Sequence, residues 1–196
     1  MPELDPARRA VVTGLGAVMP IGNDFPTFWS NLVAGVTGTR TIRSFDATGF
    51  EVQIAAEVLD FDPTRAMDPK MARRMTRFIH FAMAAGKEAV ADSGIDFAAM
   101  SQEQRDRVGV VVNTGGGGIE AIIDGTHVHD TKGPRYVSAF ASPALSGSMG
   151  AALLAAAFTS LGVCQATGIP ASAAARTAMA EACAVPITLC RLCWLN

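Results

Sequence analysis

Two short apolar runs predict buried strands along the chain. Residues 9–13 read RAVVT and residues 108–112 read VGVVV, and a further strand is predicted at residues 163–169. Short β-branched segments bounded by glycine are typical of strands that are buried. A strand-like piece at residues 52–58 lies in an otherwise irregular region.

Helical spacing of apolar residues appears between the first two strands. Asn23 or Asp24 is expected to cap a helix that has Pro26 in its first turn, and Gly35 is expected to end it. The apolar face of this helix holds four residues: Phe28, Trp29, Leu32 and Val33. The sequence therefore predicts an amphipathic helix directly after the first strand and its glycine turn.

The strongest helical pattern in the chain begins at Asp68 and Pro69. Six apolar residues recur there at helical spacing and are predicted to face the core: Met71, Met75, Phe78, Ile79, Ala82 and Val90. Alanine-rich helices are also predicted at residues 150–161 and, after Pro170, at residues 171–182.

Four cations share one face of this long predicted helix. They stand at positions i, i+3, i+4 and i+7, with no acidic residue between them: Lys70, Arg73, Arg74 and Arg77. One interpretation is an ordinary solvated surface. The other is a docking patch for an acidic partner, because such charges accelerate encounter and fix the register of binding.

Composition limits the class of protein. The 196 residues are 49% hydrophobic and 17% charged, with a formal net charge of −2, which describes a globular α/β protein with one core. This balance gives no reason to expect nucleic acid as a partner. No apolar run reaches the roughly 18 residues of a membrane-spanning helix. The polar N-terminus does not have the pattern of a secretory signal, so the cytoplasm is the expected location.

Two glycine-rich stretches depart from the nucleotide-binding loops that they partly resemble. Residues 14–22 read GLGAVMPIG, with Met19 where a dinucleotide fingerprint needs its third glycine. Residues 115–118 are glycines, but Ile119 and Glu120 follow where a phosphate loop has Lys and then Ser or Thr. The second run indicates backbone that approaches a ligand or another backbone closely. A nucleotide-binding domain is thus a weak alternative.

The histidines and cysteines predict neither a metal site nor a disulfide framework. His127 and His129 lie in a segment predicted to be a solvated polar loop, and no third ligand cluster accompanies them. His80 lies in the long helical pattern and is expected to be structural. All four cysteines lie late in the chain: Cys164, Cys183, Cys190 and Cys193. We expect reduced thiols, because a disulfide framework would be spread along the chain.

Several blocks of sequence together resemble the opening of a β-ketoacyl-acyl carrier protein synthase of the type II class. In chain order they are RRAVVTGLGAVMPIGND, RSFDATGF, ARRMTRF, RVGVVVNTGGGG and KGPRYVSAF. The resemblance covers about residues 8–182, whereas residues 183–196 form a tail unrelated to the family pattern. It implies the N-terminal half of a thiolase-like layered α/β fold, with mixed five-stranded sheets between helices.

The resemblance also implies an activity and partners. Synthases of this family move an acyl chain from acyl carrier protein to a Cys, and then extend it by decarboxylative Claisen condensation in fatty acid or polyketide synthesis. The implied partners are the acyl carrier protein and a second copy of the chain, as a homodimer. No cofactor is implied.

The nucleophile of the family is missing from its expected position. In the family this Cys stands at a helix start, where aligned amide dipoles favour the thiolate. Here that position falls at Pro170, Ala171 and Ser172. A serine needs an adjacent base, and the two histidines of the family belong to the half that is not matched. We therefore expect the chain as written to be inactive, and we hypothesise a frameshift or truncated reading frame near Cys183.

Two other sets of family residues carry over from the resemblance. The implied carrier-protein docking residues are Lys70, Arg73 and Arg74. The implied acyl-pocket residues are Gly115, Gly116 and Phe140. Many synthases of this type have a bulky aliphatic residue in place of Gly116, so the pocket would be more open here and would favour longer or bulkier chains.

A non-catalytic function is the alternative. A synthase-like subunit without the Cys would pair with an active partner, or a truncated fragment would act only by binding the carrier protein or a partner. A half-fold would also expose a larger apolar face than a monomer normally tolerates. We therefore expect the isolated half to aggregate.

Overall fold

The computed structural model describes residues 10–158 and the backbone of residues 186–192. The strand predicted at residues 163–169 and the helix predicted at residues 171–182 lie outside the described residues. The expected nucleophile position lies outside them as well: Pro170, Ala171 and Ser172.

The described elements are those of a mixed α/β protein. The strands are β1 (Ala10–Ala17), β2 (Thr39–Thr41), β3 (Ile54–Ala56) and β4 (Pro186–Leu192). The helices are α1 (Phe25–Val33), α2 (Pro69–Ala72), α3 (Arg77–Ser93), α4 (Gln102–Asp106), α5 (Ile119–Lys132), α6 (Ala141–Leu145) and α7 (Met149–Phe158). Short 3-10 helices occupy Pro63–Arg65 and Pro134–Tyr136. Within the described residues the strands form two antiparallel pairs, β1 with β4 and β2 with β3.

The chain separates into two compact units. Of the described residues, the first unit contains 10–61, 85–95 and 186–192. The second contains 62–84 and 96–158. Helix α3 therefore contributes its first eight residues to the second unit and the rest to the first.

Close packing of β1 against α3 organises the first unit. A Cβ on Gly14 would collide with the carbonyl oxygen of Ala89, and a Cβ on Gly16 with that of Ala85. Both carbonyls belong to backbone, so neither can move aside as a flexible side chain would. The glycines of the GLG motif therefore permit a strand to lie directly on a helix.

Two carboxylates of α3 bind backbone amides in and beyond β1. Asp92 accepts a hydrogen bond from the Leu15 amide at 2.8 Å. Glu88 accepts from the Ala17 amide at 2.9 Å and from the Phe25 amide, at the start of α1, at 2.7 Å. Helix α3 thus supplies acceptors that a neighbouring strand would otherwise supply.

The predicted first strand is longer than residues 9–13 and is buried at its other end. Strand β1 runs to Ala17, where it becomes buried, whereas Val12 is 56% exposed. Burial follows the glycines, because only the glycine-containing half approaches α3 closely. Strand β4 pairs with β1 in a register that sets Ala10 opposite Leu192, with an irregularity between Val12 and Gly14.

Helix α1 confirms the predicted caps. The Asp24 carboxylate accepts from the Thr27 amide at 2.8 Å, Pro26 lies in the first turn, and Gly35 follows the helix with a φ of 72°. The predicted apolar face forms but is not covered, since Trp29 is exposed and Val33 is 71% exposed.

The segment after β1 does not continue into a helix. Met19 and Gly22 exchange two backbone hydrogen bonds across a tight turn. A dinucleotide fingerprint instead requires a glycine loop that leads directly into a helix N-terminus. The tight turn is therefore a second feature, besides Met19, that does not fit a dinucleotide fingerprint in this segment.

The prediction of a second strand at residues 108–112 is wrong. Residues 108–112 are irregular, and no strand in the described part of the chain pairs with them. An apolar run forms a strand only where a second backbone satisfies its amides and carbonyls. Here Val112 instead packs against α7, with its Cγ1 3.3 Å from the position that a Cβ on Gly150 would occupy.

The long helix predicted from Asp68 is divided into α2 and α3, which corrects the idea of one continuous cationic face. The Asp68 carboxylate caps α2 by accepting from the Lys70 and Met71 amides. Residues 73–76 then form a turn before α3 begins. The predicted core of this segment is confirmed in part, because Ile79 and Ala82 are fully buried.

Tertiary hydrogen bonds hold the turn between α2 and α3. The buried Thr76 hydroxyl donates to the Ala144 carbonyl oxygen of α6 at 2.7 Å. The Arg77 amide donates to the Glu120 carboxylate of α5 at 3.1 Å. At Gly118 a Cβ would collide with the same Ala144 oxygen, so α5 can start this close to α6 only with glycine there. These contacts fix the turn against α5 and α6.

Replacement of Gly16 by Ala tests the β1–α3 packing. The added Cβ meets helix backbone, so we expect the free energy of unfolding to fall by about 1–3 kcal/mol in urea titrations of the full chain. Gly109→Ala is the matched control, because nothing lies within 4 Å of its Cβ position, and it should change stability by less than about 0.5 kcal/mol. Equal effects of the two substitutions would contradict the packing explanation.

Replacement of Thr76 by Val tests the anchored turn. The substitution keeps the shape but removes the donor to Ala144, so we expect a loss of about 1–3 kcal/mol in the free energy of unfolding. Thr76→Ser retains the hydroxyl and should recover most of that loss. If Val and Ser behave alike in chemical unfolding, the hydrogen bond is not what holds the turn.

Candidate functional site

A cavity of about 450 Å³ lies in the second unit, where the turn before α3 faces α5 and the segment that leads into α6. Its lining combines cations, carboxylates, hydroxyls and apolar side chains. The lining residues are Arg73, Arg74, Met75, Thr76, Arg77, Glu120, Ala121, Asp124, Gly125, Val128, Tyr136, Ser138, Phe140, Ala141 and Ala144.

The turn and the first residue of α3 place three arginines at this cavity. Arg73, Arg74 and Arg77 all line it and are all exposed. Lys70 lies on α2, is exposed, and does not line the cavity. Of the predicted docking residues, the structure thus brings Arg73 and Arg74 together at the cavity and leaves Lys70 beside it on the preceding helix.

Two of the arginines lie over aromatic rings. The Arg74 guanidinium carbon is 4.5 Å from the ring centroid of Phe140. The Arg77 guanidinium carbon is 5.0 Å from the ring centroid of Phe81. A guanidinium on a ring face is held by cation–π attraction, while the N–H groups in its plane still point outward. Cation–π attraction therefore restrains both guanidinium groups at the cavity.

The opposite wall of the cavity is acidic. Glu120 and Asp124 stand one turn apart on α5 and both line the cavity. The Glu120 carboxylate accepts a hydrogen bond from the Arg77 amide. Three guanidiniums and two carboxylates leave an excess of positive charge, so the cavity suits a ligand group that is anionic.

The predicted acyl-pocket residues are not gathered at this cavity. Phe140 lines it and is 38% exposed, whereas Gly115 and Gly116 do not line it. Both glycines are exposed, and nothing lies within 4 Å of their Cβ positions. The role of these three residues in an acyl pocket stays a prediction.

Sequence reasoning missed the connection between Phe140 and Arg74. It assigned the two residues to different sites, one to the acyl pocket and the other to carrier-protein docking. The only signal was chemical type, because cations and aromatic rings recur on both segments. The Thr76–Ala144 hydrogen bond joins the two segments that carry these residues, and no local sequence pattern reveals it.

The structure confirms the prediction for His80 and corrects it for His127 and His129. His80 confirms the structural prediction, because its Nε2 lies 2.9 Å from the Ala72 carbonyl oxygen at the end of α2. His127 and His129 lie in α5 and not in a loop. That prediction was wrong because α5 is a mostly exposed helix with little apolar periodicity. His129 Nδ1 is 2.9 Å from the Asp130 carboxylate at the surface.

The side chains that line the cavity can form hydrogen bonds and ion pairs with a ligand. Thr76, Tyr136 and Ser138 bring hydroxyl groups to the lining, but the lining residues include no Cys and no His. In the described ranges, no group of three or more His, Cys, Asp or Glu side chains is placed to hold a metal ion. No helix among the residues described is both long and apolar enough to cross a membrane.

Comparison with known proteins gives the family. The family model for the beta-ketoacyl synthase N-terminal domain matches residues 7–184. The 3-oxoacyl-[acyl-carrier-protein] synthase 2 of Coxiella burnetii is 42% identical over 136 residues, which are 69% of this chain and 32% of that protein. The synthase 2 of Synechocystis sp. is 38% identical over 148 residues, which are 76% of this chain and 35% of that protein. The chain thus spans about a third of the length of these relatives.

Solved structures give the same fold. The ishigamide ketosynthase/chain length factor matches with a TM-score of 0.66 and 28% identity, over 77% of this chain and 37% of that one. A beta-ketoacyl synthase from Burkholderia phymatum matches with a TM-score of 0.58 and 23% identity, over 77% of this chain and 36% of that one. These likenesses confirm the predicted thiolase-like α/β fold. The chain belongs to the beta-ketoacyl synthase family, and its residues 7–184 match the N-terminal domain of that family.

Proposed function

We propose that this chain is the carrier-protein-binding portion of a 3-oxoacyl-[acyl carrier protein] synthase. The reaction of that synthase is acyl transfer followed by decarboxylative Claisen condensation, in the cytoplasm. The observation that carries the proposal is that Arg73 and Arg74, which the family resemblance assigns to docking, are both exposed and both line the cavity. The resemblance implies that this surface binds an acidic helix of the acyl carrier protein. The arginines and that helix therefore carry complementary charges.

A solved structure of the same fold supports the choice of partner. Its title describes a type II polyketide synthase acyl-carrier protein in complex with its ketosynthase, and that chain matches with a TM-score of 0.60 and 22% identity. A rim of exposed cations acts mainly on the association rate and on salt dependence. We therefore assign Arg73, Arg74 and Lys70 to encounter and register of the carrier protein.

Catalysis does not belong to the chain as written. The family position of the nucleophile holds Pro170, Ala171 and Ser172, and the cavity lining offers no imidazole to activate a hydroxyl. The docking function does not depend on that position, because it needs only charges and a fixed surface.

A non-catalytic subunit of a synthase assembly is the second candidate. It is favoured by the uncovered apolar face of α1, where Trp29, Leu32 and Val33 are exposed. Contiguous exposed apolar side chains of this kind can mark a surface that binds another protein. A second copy of the chain, as in the homodimer that the resemblance implies, would fit this face. In such an assembly Lys70, Arg73 and Arg74 would still bind the acyl carrier protein.

Charge reversal at the docking surface tests the proposal. We expect Arg73→Glu and Arg74→Glu each to weaken binding of a purified holo-acyl carrier protein about tenfold in low-salt titration calorimetry, because each replaces an attractive contact with a repulsive one. The wild-type affinity should also fall as salt increases.

Lys87→Glu is the matched control, because Lys87 is an exposed cation that does not line the cavity. It should change the affinity by less than about twofold. Circular dichroism confirms that each variant is folded before the titration. If the carrier protein does not bind the wild-type chain, or if all three reversals act equally, the docking proposal fails.

A further inference from the structure

Phe140 occupies a fixed position beside the docking arginines. Its backbone carbonyl accepts from the Ala144 amide at 2.9 Å, and Phe140 is the N-cap residue of helix α6. Its amide donates to the Ser138 hydroxyl oxygen at 3.1 Å. Because Ala144 also accepts from the Thr76 hydroxyl, the segment that carries Phe140 is tied to the turn that carries Arg74.

Contact between Arg74 and the face of the Phe140 ring does not use up the N–H donors of the guanidinium group. The guanidinium carbon of Arg74 lies over the Phe140 ring, 4.5 Å from the ring centroid. The N–H donors lie in the guanidinium plane, where they can bind both oxygens of a carboxylate. An arginine already held in this way loses less conformational entropy on binding than one that is free to rotate.

Arg73 provides an internal comparison. It is adjacent in sequence, exposed, and lines the same cavity. Among the described residues, no aromatic ring lies over its guanidinium group, whereas Arg74, Arg77 and Arg135 each have one. The two neighbouring cations therefore differ in preorganisation while sharing charge and surroundings.

We propose that Phe140 is a positioning residue for docking: it holds the Arg74 guanidinium so that its edge meets a carboxylate of the acidic partner. This inference rests on the proposed carrier-protein function and deepens it. It gives Phe140 a role that does not require an acyl chain. The partner must present a carboxylate side chain to Arg74, and Phe140 sets the direction from which that carboxylate is bound.

A double-mutant cycle tests this role with holo-acyl carrier protein that bears no acyl chain. Phe140→Met keeps an apolar side chain of similar size but removes the π face, and it should weaken binding about two- to fivefold. In an Arg74→Ala background the same change should have no further effect. In an Arg73→Ala background its full effect should persist. Phe140→Tyr retains the ring face and should bind like the wild type.

The outcomes separate this inference from the proposed function. If Phe140→Met costs the same affinity with and without Arg74, the inference is overturned while docking stands. Loss of binding by Phe140→Tyr as well as by Phe140→Met would also overturn it. If neither Arg73→Ala nor Arg74→Ala weakens binding, the docking function itself fails and the inference falls with it. Should Phe140→Met not fold by circular dichroism, Phe140→Leu takes its place in the same cycle.

Discussion

The first unit depends on the approach of strand β1 to helix α3. A strand normally satisfies its backbone through neighbouring strands, and a helix normally stays a full side-chain layer away from it. Here Gly14 and Gly16 remove that layer, and the carboxylates of Glu88 and Asp92 accept hydrogen bonds from amides of the strand. The two features act together. The glycines bring the strand close to the helix, and the Glu88 carboxylate satisfies the amide of Ala17, which is buried by that approach.

The same helix begins at a turn that is defined by distant parts of the chain. Thr76 and Arg77 are bound by Ala144 and Glu120, and these contacts hold the arginines of the candidate site. A helix that ran on from Asp68 would have aligned the four cations along a rod. The turn instead gathers three of them around a cavity, which converts a charged helix face into a concave surface.

Features that depend on near neighbours could be predicted from the sequence. Asp24 and Pro26 begin helix α1 and Gly35 follows its end, as predicted. The helical spacing of apolar residues identified the buried face of α3. Predictions failed where a distant partner decides the structure. Residues 108–112 have strand composition, but no described strand pairs with them, and the helical pattern after Asp68 is interrupted by α5 and α6.

The candidate site shows the same division. The cations were found because charge spacing is a local property, and the family blocks located the docking residues and Phe140 separately. That Phe140 lies over Arg74 follows only from the position of α6 against the turn. A residue assigned to an acyl pocket by its place in the sequence is thus also part of a charged surface. A ring that touches both an acyl chain and a docking arginine would link what the carrier protein delivers to how firmly the carrier protein is held. The recognition that we propose requires only the fixed turn, the ring and the charge, so it does not depend on which residue occupies the family position of the nucleophile.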